Sequence, residues 1–529
     1  MADSARPSVL PSVGPGEILP VAAARNPHKV ALVVGTTRLT YHDLNSFSDL
    51  VAKALTARDI GPGDVVSLFG QNSWQWIVTY HGALKAGAVV NPVNVMLTSP
   101  ELAYVLADCN AKALFVGPER MDAAVAAGAE VEGLTLLCSL GGSDGLAGIS
   151  FDEFVSEATQ TSTPVVASSP LDLCSIGYTS GTTGHPKGAM LSQQSVLLNC
   201  ALTATMHGRS ERDVIVTALP CAHVYGNVAI NGTFLAGGTV VLMDRFDAAN
   251  ALHLIETEHA TLFEGVPAMY SMILSNPAID TTDLSSLRIS TVGGQTFSTE
   301  MIARWQTRTG APLIELWGMT EIAGLGTTHS PYAPQVSGSI GVALPGIDVK
   351  IGPLEGSVDD VPAGEPGELM IRGPLVMLGY YGRPDATAEV LSADGWLRTG
   401  DVAYVDETGH FFVVDRLKDM IVTAGYNVYP AEIERVVGAH PGVAMVAVGR
   451  RADPVKGEIA IAYVVPAPGV DLDVSDVLNY CSDRLAAYKR PRDVILVDSL
   501  PTTSSGKLMR RKLADIDPVL GQAPANSSR

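Results

Sequence analysis

The chain is short of several things whose presence would fix its class. Its six cysteines, at 109, 138, 174, 200, 221 and 481, form no CxxC pair and show no metal-ligand spacing. Several sit in apolar stretches, so they read as reduced core thiols of a cytoplasmic protein. Positive charge is scarce: 35 Lys and Arg stand against 55 Asp and Glu, a net charge of −20. That balance argues against nucleic acid or an anionic membrane as partner. No apolar run reaches the ~20 residues of a membrane helix. The N-terminus has no basic stretch followed by an apolar one, so no secretion signal is expected. No repeat of fixed period is visible. The Walker A signature is missing too, because Lys187 follows Pro186 and precedes Gly188, where that motif needs Gly-Lys-Ser/Thr.

What is present is apolar mass. The chain has 529 residues, 47% hydrophobic and only 17% charged, enough for several large cores and too long for one ordinary domain. The helical pattern from Tyr41 or His42 to about Ala57 is followed by short apolar runs at Val65–Phe69, Ala88–Val90 and Ala113–Val116. Asp213–Leu219, Thr239–Met243 and Leu287–Val292 continue the series in a second unit. Apolar runs alternating with helical patterns predict βαβ units around parallel sheets. From about Gly338 to Val414, Gly and Pro become frequent and strands short, as in Glu368–Ile371 and Phe411–Val414, which predicts a small barrel-like β module. Beyond Arg416 the pattern is compact α+β. Strands are expected at Ile421–Val422, Val443–Val448, Ile459–Val465 and Val494–Val497, and helices from near Pro430 and Val474. The tail after Asp517 is polar and expected to be disordered.

The most informative segment is Tyr178-Thr179-Ser180-Gly181-Thr182-Thr183-Gly184-His185-Pro186-Lys187-Gly188. An apolar strand, Leu171 to Tyr178, leads into it. After it, Ser192 can cap a helix with a stripe of Val196, Leu197, Cys200 and Leu202. Strand, glycine-rich loop and helix bring backbone N–H groups close to phosphate oxygens, with hydroxyls and a lysine adding donors and charge. An acidic protein must concentrate positive charge locally to hold anions. Lys489, Arg490, Arg492, Lys507, Arg510, Arg511 and Lys512 lie close together in sequence, either for that purpose or as a solvated helix end.

The loop resembles the phosphate loop of the adenylate-forming superfamily of acyl-CoA synthetases, adenylation domains and beetle luciferases. Further motifs follow in that superfamily's order, so the resemblance runs from about Ala22 to Lys512. It implies a large N-terminal domain, residues 1–415, of two α/β sheet subdomains plus the β module. A small mobile α+β C-terminal domain, residues 416–529, is implied to follow. ATP, Mg²⁺ and coenzyme A are the implied cofactors and co-substrates. Thr179, Ser180, Gly181, Thr182, Thr183, Gly184 and Lys187 would cradle phosphate. Val292-Gly293-Gly294-Gln295 resembles the loop that packs on adenine. Gln295 departs from the small residue usual there, and Gly294 keeps the family pattern.

In Trp317-Gly318-Met319-Thr320-Glu321, tryptophan replaces the usual tyrosine beside adenine and keeps a stacking face. Thr320 would donate to the α-phosphate, and Glu321, with Thr183, would hold Mg²⁺. Asp401, in Trp396-Leu397-Arg398-Thr399-Gly400-Asp401, would accept from the ribose hydroxyls. Arg416 would contact the nucleotide and Lys418 would be the hinge. Gly425 and Tyr426 would belong to the thioester-forming, CoA-binding face. Lys507, in Thr503-Ser504-Ser505-Gly506-Lys507, would be the catalytic lysine of adenylate formation. His223 would wall the reacting carboxylate, and Tyr225, Asn227, Ile230, Val266 and Gly324 would line the acyl pocket.

The reaction so implied is AMP-forming acid–CoA ligation through an acyl-adenylate. An apolar pocket without a visible basic residue implies a monocarboxylic acid, either a medium-to-long fatty acid or an aryl or arylpropenoic acid. An amino-acid activator is disfavoured, because His223-Val224-Tyr225-Gly226 and an apolar helix stand where an acidic residue would bind an α-ammonium. An acyl-AMP ligase serving a carrier protein and a non-catalytic nucleotide-binding protein on the same fold are the alternatives. A homodimer is the base-rate expectation.

Overall fold

The computed structural model describes residues 14–142, 148–156, 158, 165–179, 186–295, 297–354, 360–502 and 508–517. The chain divides into two compact units, residues 1–349 with 371–397, and residues 350–370 with 398–529.

The first unit is built on two sheets. One has eight strands in the order Gly379–Tyr380, Lys187–Ser192, Leu173–Thr179, Val89–Pro92, Val65–Phe69, Ala111–Val116, Leu136–Ser139, Ile149–Ser150. Its middle strands pair in parallel, and all five residues of Val65–Phe69 are buried. A strand covered on both faces needs a continuous apolar run rather than alternation. The other sheet has nine strands, with a parallel centre formed by Leu313–Met319, Ile289–Val292, Leu262–Gly265, Val214–Thr217, Thr239–Leu242 and Val30–Val34. The expected βαβ alternation is therefore present in both halves. The helix expected near Tyr41 is Tyr41–Thr56, fixed by a capping box in which Thr40 and Asp43 satisfy each other's backbone N–H.

Two features differ from expectation. The loop after Thr179 does not run into a helix. Thr179 and Lys187 are cross-strand partners in an antiparallel pair, so the loop closes a hairpin. The helix Gln193–Met206, capped by Ser192 as expected, begins only after the second strand. The N-terminal strands Val30–Val34 and Thr37–Thr40, not foreseen, complete the edge of the distant nine-stranded sheet through the parallel partner Thr239–Leu242.

In the second unit, Asp348–Gly352, Gly367–Arg372, Leu397–Val405 and Phe411–Arg416 make a four-stranded sheet. It is open: no closed barrel forms among the described residues, because the end strands Asp348–Gly352 and Phe411–Arg416 do not pair. The α+β part follows expectation. Strands Val443–Asp453 and Gly457–Pro466 pair antiparallel, Asp493–Leu496 adds in parallel, and helices Pro430–Gly438 and Val474–Ser482 cover the sheet's apolar face. No helix among the described residues is long and apolar enough to cross a membrane.

All six cysteines are free and buried, and burial pushes the thiols of Cys109, Cys138 and Cys200 up to about 12. A buried, protonated thiol is a poor nucleophile. Native protein should leave an aromatic disulfide reagent unreacted over minutes, and six thiols should titrate after denaturation. Fast native reaction of any cysteine would contradict this packing.

Candidate active site

The candidate site in the first unit grows from the hairpin between Thr179 and Lys187. Ser180, Gly181, Thr182, Thr183 and Gly184 lie outside the described residues, but the loop's two ends are placed. The Thr179 hydroxyl donates to the Lys187 carbonyl at 3.5 Å. Lys187 Nζ stands 5.4 Å from the centre of the Tyr380 ring and 4.0 Å from Glu389. A half-buried ammonium over an aromatic face is held electrostatically while remaining near the loop.

Beside this hairpin stands the Thr320–Ile322 turn, which follows strand Leu313–Met319. Gly177 lets them touch. A Cβ there would stand 2.6 Å from Thr320 Cγ2, so only glycine allows this approach. Trp317 is 7% exposed, while the following Gly318 and Met319 lie at the rim in exposed and half-buried positions. Glu321 is buried, and its Oε1 accepts from the Tyr380 hydroxyl at 2.9 Å. Burial and that carboxylate both raise the Tyr380 pKa, keeping it a donor. Tyr380 carries no sequence motif; it reaches Glu321 because strand Gly379–Tyr380 pairs with the loop's exit strand.

Asn199 was also missed. It is wholly buried. Its amide donates to the Ile322 and Leu325 carbonyls, each at 2.9 Å, and its oxygen accepts from Leu325 N–H at 3.1 Å. Helix Gln193–Met206 thereby grips the turn that presents Thr320 and Glu321.

His223 is the N-cap of helix Val224–Ala236, with Nδ1 accepting from Tyr225 N–H at 3.2 Å. That bond leaves the ring proton on Nε2 in the neutral form. Tyr225 is buried, and its hydroxyl meets Thr291 Oγ1 at 2.6 Å. Ile230 and Val266 are buried as well. Gly324 lies against Val228 of the helix and against Asn199, and Gly294 lies beside Val266. The adenine-type loop and the expected acyl wall therefore share one neighbourhood. Gln295, which follows Gly294, is half-buried. Asn227, on the same helix, is half-buried.

One basic residue escaped sequence reading. Arg209 packs beneath this same helix, donating to the Ala229 carbonyl at 2.5 Å and to Thr233 Oγ1 at 2.8 Å. It is paired with Glu264 at 2.5 Å, both side chains essentially inaccessible. Burial pushes the Glu264 carboxyl upward, and Arg209 opposes that shift. The pair is neutral overall, so Arg209 has no charge to spare for a second substrate carboxylate.

In the second unit, Asp401 is buried and bonded to Arg416 at 2.5 Å. The two are direct cross-strand partners, which explains why two distant motifs meet. Lys418 is exposed on the Leu417–Asp419 turn. Gly425, at φ +83°, sits at the tip joining strands Ile421–Thr423 and Tyr426–Val428, and Tyr426 stacks on Tyr488 at 4.7 Å. The backbone there needs a glycine for its left-handed conformation. Lys507 lies outside the described residues. Much of the basic cluster is spent locally: Lys489 pairs with Glu432, and Arg510 with Glu434, Asp419 and Asp415. Asp415 also caps the Ala431 N–H, and its burial lifts its pKa to about 6. Among the described residues no group of three or more His, Cys, Asp or Glu could hold a metal ion.

Two substitutions test this geometry. Tyr380→Phe removes the hydrogen bond to the Glu321 carboxylate and should slow carboxylate-dependent pyrophosphate release about tenfold with little change in Tm. Asn199→Ala strands three buried backbone groups and should cost about 3 kcal/mol of stability, together with activity. A wild-type rate for Tyr380→Phe, or wild-type denaturant unfolding for Asn199→Ala, would show that these contacts do not hold the turn.

Residues 19–381 match the AMP-binding enzyme family, and residues 432–507 match the AMP-binding enzyme C-terminal domain. The chain is 40% identical over 495 residues to a feruloyl-CoA synthase of an Amycolatopsis species, covering 93% of this chain and 96% of that one. It is 38% identical over 496 residues to an indoleacetate–CoA ligase of Aromatoleum aromaticum, covering 92% and 95%. Among solved structures, it superposes on the anthranilate CoA ligase AuaEII in complex with anthranoyl-AMP with a TM-score of 0.91 at 26% identity, covering 97% of this chain and 99% of that one. ATP-bound MatB from Rhodopseudomonas palustris gives a TM-score of 0.88 at 31% identity, covering 96% and 100%. With these matches spanning both units, the chain belongs to the AMP-binding enzyme family and is an acyl-CoA synthetase of the adenylate-forming superfamily.

Proposed function

We propose that this acyl-CoA synthetase activates an aryl or arylpropenoic acid. The observation that carries the aromatic reading is the 40% and 38% identity to relatives named for ferulate and indoleacetate, both aromatic acids. The buried Tyr225, Ile230 and Val266 support it, since a flat ring gains most from apolar and aromatic walls. A medium-to-long fatty acid is the second reading, favoured by 31% identity to a long-chain-fatty-acid–CoA ligase of Bacillus subtilis.

The chemistry we infer uses the expected site residues as follows. The acid's carboxylate enters beside His223 and attacks the α-phosphate of ATP, giving acyl-adenylate and pyrophosphate. Thr320 donates to the α-phosphate, and Lys187 faces the departing phosphates. Trp317 flanks the adenine and Asp401, oriented by Arg416, accepts from the ribose. A single buried carboxylate beside substrate phosphates is a usual Mg²⁺ environment, so Glu321, with Thr183, fits that ion. When bound, Mg²⁺ offsets negative charge on the phosphates. Lys507 stabilises the charge developing during adenylation. Residues 416–529 then turn about Lys418, bringing the Gly425 and Tyr426 face to the adenylate, where the CoA thiol displaces AMP.

Pyrophosphate release across a panel of carboxylic acids, each with and without CoA, tests the function. Turnover with aryl acids only when CoA is present is expected. A single burst without acyl-CoA would point instead to a carrier protein as acceptor. Lys507→Ala should abolish adenylation yet form thioester from supplied acyl-AMP, and equal loss in both steps would refute its role. Lys418→Pro should impair thioester formation selectively.

A further inference from the structure

The least expected feature of the first unit is a carboxylate buried in the middle of its sheet. Glu264 lies on strand Leu262–Gly265, flanked in register by Thr217 and Thr291. Residues in register on neighbouring parallel strands share a face of the sheet. That face is covered by helix Val224–Ala236: Thr291 meets the Tyr225 hydroxyl, and Arg209 bridges from Glu264 to the Ala229 carbonyl and Thr233. Only one carboxylate oxygen is used. Glu264 Oε2 has no hydrogen-bond partner, and neither has Arg209 Nε. A carboxylate taken wholly from water is costly, and leaving one of its oxygens unmade adds to that cost. An apolar pair of equal volume would serve packing better. An atom kept so prepared is suited to a ligand that completes it.

We propose that Glu264, held by Arg209, is the specificity-determining residue of the acyl pocket, accepting a hydrogen bond from a hydroxyl or N–H at the end of the acid remote from its carboxylate. The inference rests on the proposed reading of His223 as the carboxylate end of that pocket and of Tyr225, Ile230 and Val266 as its walls. The helix supplies the scale. From His223 to Ala229, where Arg209 docks, six residues rise about 9 Å, roughly the length of an arylpropenoic acid. The substrate class is therefore narrowed to aromatic acids bearing a donor on the ring, such as a phenol or an indole-type N–H. A plain hydrocarbon tail would leave Glu264 Oε2 unsatisfied and be disfavoured.

The test compares kcat/KM for acyl-CoA formation from 4-hydroxycinnamic and cinnamic acids, read as a ratio so that any loss of folded enzyme cancels. A site built to bond a hydroxyl rejects the analogue lacking it strongly, so wild type should favour the hydroxylated acid by about 100-fold or more. Glu264→Gln should lower that ratio. The double variant Arg209→Met/Glu264→Leu, which leaves no lone buried charge, should bring it below about tenfold. A wild-type ratio near one, or an unchanged ratio in both variants, would overturn the assignment. Turnover of fatty acids alone would overturn it while leaving the ligase reading intact. Absence of pyrophosphate release from every acid would overturn the ligase reading, and this inference with it.

Discussion

The turn that carries Thr320 and Glu321 depends on one buried carboxamide. Asn199 spends its donor and acceptor capacity on the backbone around Ile322 and Leu325, fixing the short turn that offers Thr320 and Glu321. Its helix is capped by Ser192, the last residue of the strand leaving the phosphate loop. Exit strand, helix and turn thus form one mechanical piece. Tyr380 closes the circuit, because its strand pairs with that same exit strand while its hydroxyl holds Glu321. Hydrogen bonds made inside a dry core are costly to break one at a time, which gives the site preorganisation.

The second unit uses charge instead. Asp401 and Arg416 are joined across adjacent strands, and Arg510 gathers Glu434, Asp419 and Asp415 around one guanidinium. Asp415 in turn caps the Ala431 N–H. The residues around Lys418 are therefore tied to the helix Pro430–Gly438 on one side and to the segment just after Lys507 on the other. This acid–guanidinium cluster thus holds Asp415 and Asp419, on either side of Lys418.

Buried charge has two different uses in the first unit. Lys85 is fully enclosed, yet it is satisfied by Asp49, Ser48 and Asn45, and it locks helices Tyr41–Thr56 and Trp74–Lys85 together. The Arg209–Glu264 pair is equally enclosed and left incomplete. The first arrangement reads as structural because its bonding is complete, and the second reads as recognition because it is not.

Much of this was legible beforehand where physics is local. Apolar runs gave the parallel strands, the pattern from Tyr41 and the cap at Ser192 gave helix starts, and the ordered motifs gave the superfamily. Local chemistry could not say that Lys187–Ser192 is a strand, since its pairing with Leu173–Thr179 is what stabilises it. Nor could it say that the β module stays open or that Val30–Val34 joins strands two hundred residues away. Asn199, Tyr380, Arg209 and Glu264 carry no motif, because a single polar residue in an apolar stretch means nothing until its partner is known. The sequence by itself determined most of the parallel strands and helices and the superfamily, since these depend on periodicity and residue chemistry. Only the tertiary structure decided which polar groups meet and which buried oxygen remains unmet, because those depend on distances between strands that no spacing along the chain encodes.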